Sequence, residues 1–206
     1  MTEKGLFIVI EGIDGSGKST QASLLHQHLV SSGRDALLMA EPSTGAYGKK
    51  IREILGGDRV PPAEEQLELF LLDRADDAEK NIIPALQEGK IMVLDRYYFS
   101  NAAYQGAMGL DPQFILEENR KRNFPLPHRV YFIDIPVETA LDRIGRRNSD
   151  NSRDIFEKEE FLQKVRSIYL SMEPEGLIII DGNDTADAVS SRITADLKAA
   201  YPELTI

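Results

Sequence analysis

An α/β domain with a parallel sheet is predicted by three observations. Five short, β-branched apolar runs recur along the chain, longer segments with helical spacing separate them, and a glycine-rich string falls between the first run and the first helix. In order, Leu6–Ile10 reads as a strand buried on both faces, because it has no polar alternation. The segment from Lys18 to about Ser32 reads as a helix that Gly33 closes. Ala36–Met39 is the second strand. Pro61 and Pro62 open a helix running toward Gly89, with a kink expected at Pro84 and a packing stripe at Leu67, Leu71, Ala75, Ala78 and Ile82. Ile91–Leu94, Val130–Ile133 and Leu177–Ile180 complete a five-stranded sheet. The polar stretch Asn148 to Arg153 is expected to be a mobile loop. No repeat, low-complexity tract or linker divides the chain, so residues 1–206 are read as one domain.

Composition narrows the function. At 206 residues, 42% apolar and 28% charged, the chain can bury a core and is neither fibrous nor disordered. No apolar run is long enough to cross a bilayer, and the first residues lack a secretory leader's apolar stretch, so a soluble cytoplasmic protein is expected. The absence of cysteine excludes disulfides, thiolate metal sites and a cysteine nucleophile. A net charge of −10 argues against nucleic acid and membrane partners. An acidic chain that binds an anion needs local clusters of cations, which makes each arginine and lysine informative.

Gly12-Ile13-Asp14-Gly15-Ser16-Gly17-Lys18-Ser19-Thr20 contains the full phosphate-binding P-loop pattern in a strand-to-helix context. Its glycines let successive N–H groups face phosphate oxygens, and the helix that follows adds favourable field. Lys18 is placed to reach the β- and γ-phosphates, and the Ser19 hydroxyl to ligate Mg²⁺. The bland reading, a glycine-rich turn with an ordinary lysine, explains less of the spacing. A base-reading Asn-Lys-x-Asp string of GTPases does not occur.

A second cluster looks like an acceptor pocket. Asp95 and Arg96 follow the third strand, and ligands gather beyond the carboxyl ends of parallel strands. Asn101, Tyr104 and Gln105 share one helix face, and Phe70 and Arg74 share another. Together they offer a flat apolar surface, base-pairing amides, a phenol and two guanidiniums. The competing structural reading makes Phe70 core, pairs Arg74 with Asp73 or Asp77, and packs Tyr104 internally.

With these motifs the chain resembles the thymidylate kinases, P-loop nucleoside monophosphate kinases that move the γ-phosphoryl of ATP to dTMP. The likeness is carried by Glu11 to Thr20, Glu41-Pro42, Gly48 to Leu55, Leu69 to Ala75, Asp95-Arg96-Tyr97, Ser100 to Gly106 and the arginine-rich stretch Arg143 to Arg153. It implies that Phe70 stacks on thymine, that Arg74 and Gln105 contact its polar edge, and that Arg52 lies close to the base. Glu41, Pro42, Ser100 and Asn101 would complete the pocket. Arg96 would bind the dTMP phosphate, and Tyr104 would stand where a ribose 2′-hydroxyl would be. Asp14 resembles the loop acid that holds the acceptor, through its sugar or a metal-bound water. Ser19 and Asp95 would serve Mg²⁺. Many bacterial members carry arginine at the position of Ala40.

The segment from about 143 to 158 resembles the family's lid. Because Gly15 stands where some members carry a P-loop arginine, the transition-state cation would come from the lid: Arg153 first, then Arg147, with Arg143 on ATP and Arg146 as a further candidate. The Asp181 to Thr185 loop would pass beside adenine. The family implies a homodimer. Kinases of dUMP, UMP, thymidine or another nucleoside, and a non-catalytic nucleotide-binding module, are the alternatives.

Overall fold

The computed structural model describes residues 5–57, 61–145, 152–172 and 176–204; the side chains of 152–157 lie outside that set. All five apolar runs are strands: β1 (Leu6–Glu11), β2 (Ala36–Ala40), β3 (Ile91–Asp95), β4 (Arg129–Asp134) and β5 (Leu177–Asp181). They pair in parallel in the order β2-β3-β1-β4-β5. The connecting helices are α1 (Lys18–Ser31), α2 (Ala46–Leu55), α3 (Ala63–Asp77), α4 (Ile83–Gln87), α5 (Tyr98–Ala107), α6 (Pro112–Lys121), α7 (Val137–Gly145), α8 (Ser152–Ser171) and α9 (Ala186–Ala200). The chain leaves β1 for β2 and β3 on one side and then builds β4 and β5 on the other. A crevice therefore opens over the carboxyl end of β1, where the glycine-rich loop begins.

Strand periodicity distributes the core between two layers. Phe7, Val9, Met92, Leu94, Val130 and Phe132 face α3, α5, α6 and α8, while the alternating Ile8, Ile10, Val93, Tyr131 and Ile133 face α1 and α9. The expectation of burial on both faces holds for β1, β3 and β4 but not at the edges. Leu38 of β2 and Ile179 of β5 are exposed because no further strand or helix covers them.

Gly33 adopts φ +78° and donates to the Val30 carbonyl, ending α1 as expected. Pro84 does not produce a simple kink. The chain reaches it through a π-helical turn, Ala78–Ile82, which changes the hydrogen-bond register just before the residue that has no N–H to donate.

An aromatic stack is among the contacts that tie α8 to the sheet. Phe132 and Tyr169, both fully buried, stack with ring centroids 4.6 Å apart. Phe132→Ala removes a fully buried ring from that layer and is expected to lower stability by about 3–5 kcal/mol. Urea unfolding with an unchanged m-value is the measurement.

Candidate active site

The phosphate loop folds as a cradle because its successive residues lack obstructing side chains. Ser16 N–H donates to the Ile13 carbonyl at 3.1 Å, and Gln21 N–H to the Gly17 carbonyl at 3.0 Å. Gly17 precedes α1 with no side-chain cap, so the helix's first N–H groups open into a cavity lined by Gly15 to Gln21, Arg143, Gly182 and Asp184. Ile13 takes part through its backbone, since its side chain belongs to the core. Thr20 lines the cavity, whereas Gly12 lies beneath it.

Arg143 of α7 donates to the Ser16 carbonyl at 3.2 Å and the Gly182 carbonyl at 3.4 Å, joining the cradle to the loop after β5. At Gly15 the φ is +83°, and a Cβ would stand 2.5 Å from the Ala140 carbonyl of α7. No side chain fits there unless α7 moves.

A second cavity lies across the loop, lined by Asp14, Glu41, Pro42, Phe70, Arg96, Ser100, Asn101, Tyr104 and Gln105, with Leu55 and Tyr97. Leu55 and Tyr97 are additions to the residues expected there. Arg96 leaves β3 with φ +72°. Its guanidinium contacts the Asp14 carboxylate, donates to Ser100 Oγ at 3.1 Å and lies 5.0 Å over the Tyr104 ring. Asp14 N–H donates to the Tyr104 hydroxyl at 3.1 Å, and Lys18 Nζ lies 3.5 Å from Asp14 Oδ1. Asp14 thus links the two cavities.

The remaining candidates separate into two groups. Arg74 pairs with Glu41 through Nε and Nη2, not with Asp73 or Asp77; Nη1 donates to Asn119 at 2.6 Å and Nη2 also to Asn101 at 2.8 Å. Fully buried, it stands behind the cavity rather than in its lining. Arg52, which is exposed, is not in the lining either: its guanidinium donates to the carbonyls of Pro42 at 2.8 Å and Ser43 at 2.7 Å. Asp73 accepts from Ser43 N–H at 2.7 Å, and Gly48 lies so close that a Cβ would meet the Ser43 carbonyl at 1.9 Å. The Glu41–Ser43 wall is therefore held from α2 and α3 together. Ala40 is exposed and does not line the cavity. Arg146, Arg147, residues 148–151 of the expected loop and the Arg153 side chain fall outside the described residues, whereas Ser152 and Arg153, expected in that loop, begin α8.

Sequence reasoning also passed over the role of Glu11. This fully buried carboxylate accepts from Tyr97 N–H at 2.8 Å, Ser100 N–H at 3.3 Å, Ser100 Oγ at 2.6 Å and the Tyr169 hydroxyl at 2.9 Å. The one local signal was an acid ending an apolar strand.

Electrostatics follow the geometry. Burial pushes Glu11 up despite its donors. Partial burial works in the same direction on Asp14, but the charges of Arg96 and Lys18 hold its carboxyl below the usual range. Burial, reinforced by the Arg96 charge, pushes Lys18 down to about 8. Burial also pushes Glu41 up, to about 7, against the pull of Arg74. For a divalent cation, the Ser19 hydroxyl opens on the phosphate cavity, and Asp95 Oδ1 is buried with no hydrogen-bond partner among the described residues. Such hard oxygens suit Mg²⁺, with phosphates supplying further ligands. Among the described residues no group of three acidic, histidine or cysteine side chains could hold a metal unaided.

The sequence profile of the family described as thymidylate kinase matches residues 10–193. The chain belongs to the thymidylate kinase family. Its relatives include a thymidylate kinase of Leptospira interrogans (serovar copenhageni, strain Fiocruz L1-130), 40% identical over 187 residues, 91% of each chain. A probable thymidylate kinase of Archaeoglobus fulgidus is 40% identical over 188 residues, 91% of this chain and 92% of its own. A thymidylate kinase of Desulfotalea psychrophila is 40% identical over 194 residues, 94% and 95%. The thymidylate kinase profile spans both cavities, from the start of the phosphate loop to α9.

Lys18 yields a pH prediction. Its folded pKa near 8 lies below an ordinary lysine's 10.5, so the folded state binds fewer protons than the unfolded one between those values. Stability then rises with pH across that window, and holding the charged ammonium costs most below pH 8. Lys18→Met is expected to stabilise the ligand-free protein at pH 7 by about 1–3 kcal/mol, with the gain vanishing by about pH 10. Urea unfolding of both proteins across pH 7–10 checks it.

Proposed function

We infer that the protein transfers the γ-phosphoryl group of ATP to the phosphate of dTMP, giving ADP and dTDP. The observation that carries this reading is Asp14: its carboxylate faces Lys18 of the phosphate cradle and Arg96 of the second cavity at once. A donor phosphate chain in the first cavity and an acceptor phosphate in the second would meet there. An oxygen of the acceptor phosphate bonds to the γ-phosphorus as the bond to the β–γ bridging oxygen breaks. Negative charge has to be met at both ends, and positioning plus electrostatics supply most of the catalysis.

Lys18 and the N–H groups of the loop hold the donor phosphates, and Arg96 and Ser100 hold the acceptor's. The acceptor phosphate is already ionised near neutral pH, so Asp14 orients its two cations instead of removing a proton. Mg²⁺, held through Ser19 and Asp95, would neutralise phosphate charge when bound. Phe70 offers its ring to the base, and Tyr104, fixed by Asp14 and Arg96, closes the sugar side against a 2′-hydroxyl. Arg143 belongs to the ATP side, with Arg153 and then Arg147 as the lid cations. The partners proposed are ATP and dTMP, with two copies forming a homodimer.

A coupled ADP-release assay across dTMP, dUMP, UMP, dCMP, AMP and thymidine tests the reading; no turnover of dTMP defeats it. Phe70→Ala is expected to raise the dTMP KM about tenfold or more, from loss of roughly 1–3 kcal/mol of stacking, while the ATP KM holds. An equal loss of ATP affinity would make Phe70 a packing residue. Arg153→Ala is expected to depress kcat far more than either KM, and Arg153→Lys to restore it only in part, since an ammonium lacks the planar fork. If Arg143, Arg146, Arg147 and Arg153 each tolerate alanine with at least about a third of wild-type kcat, under roughly 0.7 kcal/mol, no single lid arginine carries that role.

A further inference from the structure

Behind the second cavity runs a chain of side-chain hydrogen bonds with only one possible sense. It starts at Arg74, whose guanidinium can only donate, 2.8 Å from Asn101 Oδ1. Asn101 must therefore turn its oxygen to Arg74 and its NH₂ away, where Nδ2 donates to Gln105 Oε1 at 3.2 Å. Gln105 is left with its own NH₂ for Gln66 Oε1, at 3.2 Å. The chain ends where Gln66 Nε2 donates to the Pro61 carbonyl at 2.8 Å, a group that can only accept. Reversing any amide would set two donors or two acceptors face to face. All three amides are nearly inaccessible, with Asn101, Gln105 and Gln66 exposed by 2%, 3% and 4%, so water cannot relieve such a mismatch.

This sense has a chemical consequence. Asn101 and Gln105 line the cavity; Gln66 does not. A carboxamide in one orientation complements the thymine or uracil edge, an accepting O4 beside a donating N3–H. Rotated by half a turn, it complements cytosine, with a donating N4 beside an accepting N3. Beyond the relay, Asn101 keeps a second N–H and a second Oδ1 lone pair, and Gln105 a second N–H and a second Oε1 lone pair. Their order along the wall is fixed by the relay.

We propose that Gln66 is a specificity-determining positioning residue: by anchoring the far end of the relay it fixes the orientation of Gln105 and makes the cavity discriminate the thymine edge from the cytosine edge. This deepens the acceptor reading above and rests on it. Arg74 fixes Asn101, and Asn101 Nδ2 and Gln66 Oε1 hold Gln105 from its two sides; without Gln66 only the Asn101 bond opposes its turning.

The test compares kcat/KM for dTMP, dUMP and dCMP in wild type, Gln66→Met and Gln66→Glu. Methionine cannot accept from Gln105, whereas glutamate in its neutral form still can, its O–H taking over the donation to the Pro61 carbonyl. Gln66→Met is expected to narrow the dTMP-to-dCMP preference about three- to tenfold, the value of one buried neutral hydrogen bond. The change should come through a raised dTMP KM, with kcat and the ATP KM held. The dTMP-to-dUMP ratio should not move, because those bases share the same edge, and Gln66→Glu should keep the wild-type preference. A preference unchanged within about twofold in Gln66→Met, equal losses on all three acceptors, or a Gln66→Glu variant that behaves like Gln66→Met overturns the proposal. Should Gln66→Met fail to fold, Gln66→Asn, too short to reach Gln105, replaces it with the same expectation. Failure of the acceptor reading itself shows in the wild-type arm as absent dTMP turnover. The calorimetric ratio of dTMP to dCMP binding in the same variants then decides the relay without needing turnover.

Discussion

The active site depends on one buried carboxylate. Glu11 ends the central strand and sits immediately before the phosphate loop, yet it acts on α5. That helix has no side-chain cap of its own, and Glu11 Oε1 takes the Tyr97 and Ser100 N–H groups at its start. A negative charge there is doubly favourable, satisfying orphan donors and opposing the helix dipole. Its other oxygen accepts from Ser100 Oγ and the Tyr169 hydroxyl, so α8 joins the same node. The turn stabilised in this way holds Arg96 at φ +72°, a conformation that costs a non-glycine residue about 1–2 kcal/mol. Only with the turn in that shape does the Arg96 guanidinium emerge beside Asp14. The strain is local, and the hydrogen bonds that offset it come from β1, α5 and α8.

Around that node burial leaves the cations of the ligand-free site short of solvation, which the acids Asp14, Asp95 and Glu11 make up only in part for Lys18. Lys18 loses solvation and feels Arg96, while Asp14 is the acid both cations share. Phosphate oxygens relieve this imbalance, which is why an acidic chain can hold polyanions without any broad basic surface. The base side uses the opposite device. Glu41 and Arg74 neutralise each other out of solvent, and Arg74 then serves as a fixed donor that orients amides instead of a free charge.

Sheet content and order of elements were legible because buried strands declare themselves in four or five adjacent residues, and the phosphate loop in nine. The edge strands were over-read: β2 and β5 have the composition of buried strands, and only the sheet order reveals that one of their flanks lacks a neighbour. The second cavity was legible as an inventory, since Phe70, Arg96, Ser100, Asn101, Tyr104 and Gln105 all line it. What the inventory lacked was partnership. Spacing along α3 offers Arg74 the local acids Asp73 and Asp77, but Asp73 is taken by Ser43 and Arg74 turns to Glu41 from another element. Arg52 was drawn to the base by resemblance; in the ligand-free protein its guanidinium donates to two backbone carbonyls of the wall. Gln66, Asn119 and Tyr169 carried no local signal, because their partners are 39, 45 and 158 residues away.

Gly15 shows how one packing choice sets the distribution of cations over the site. The space a side chain would need is filled by the Ala140 carbonyl, so α7 rests directly on the loop backbone. From that position the same helix delivers Arg143 to the Ser16 carbonyl, three residues further along α7. A helix lying closely enough to plant that arginine on the loop is too close to leave room for one at position 15. The phosphate loop therefore supplies backbone N–H groups and a single lysine, and any further guanidinium has to arrive from outside it. The close seat of α7 on the loop thus accounts at once for the glycine at position 15 and for the Arg143 contact with the Ser16 carbonyl.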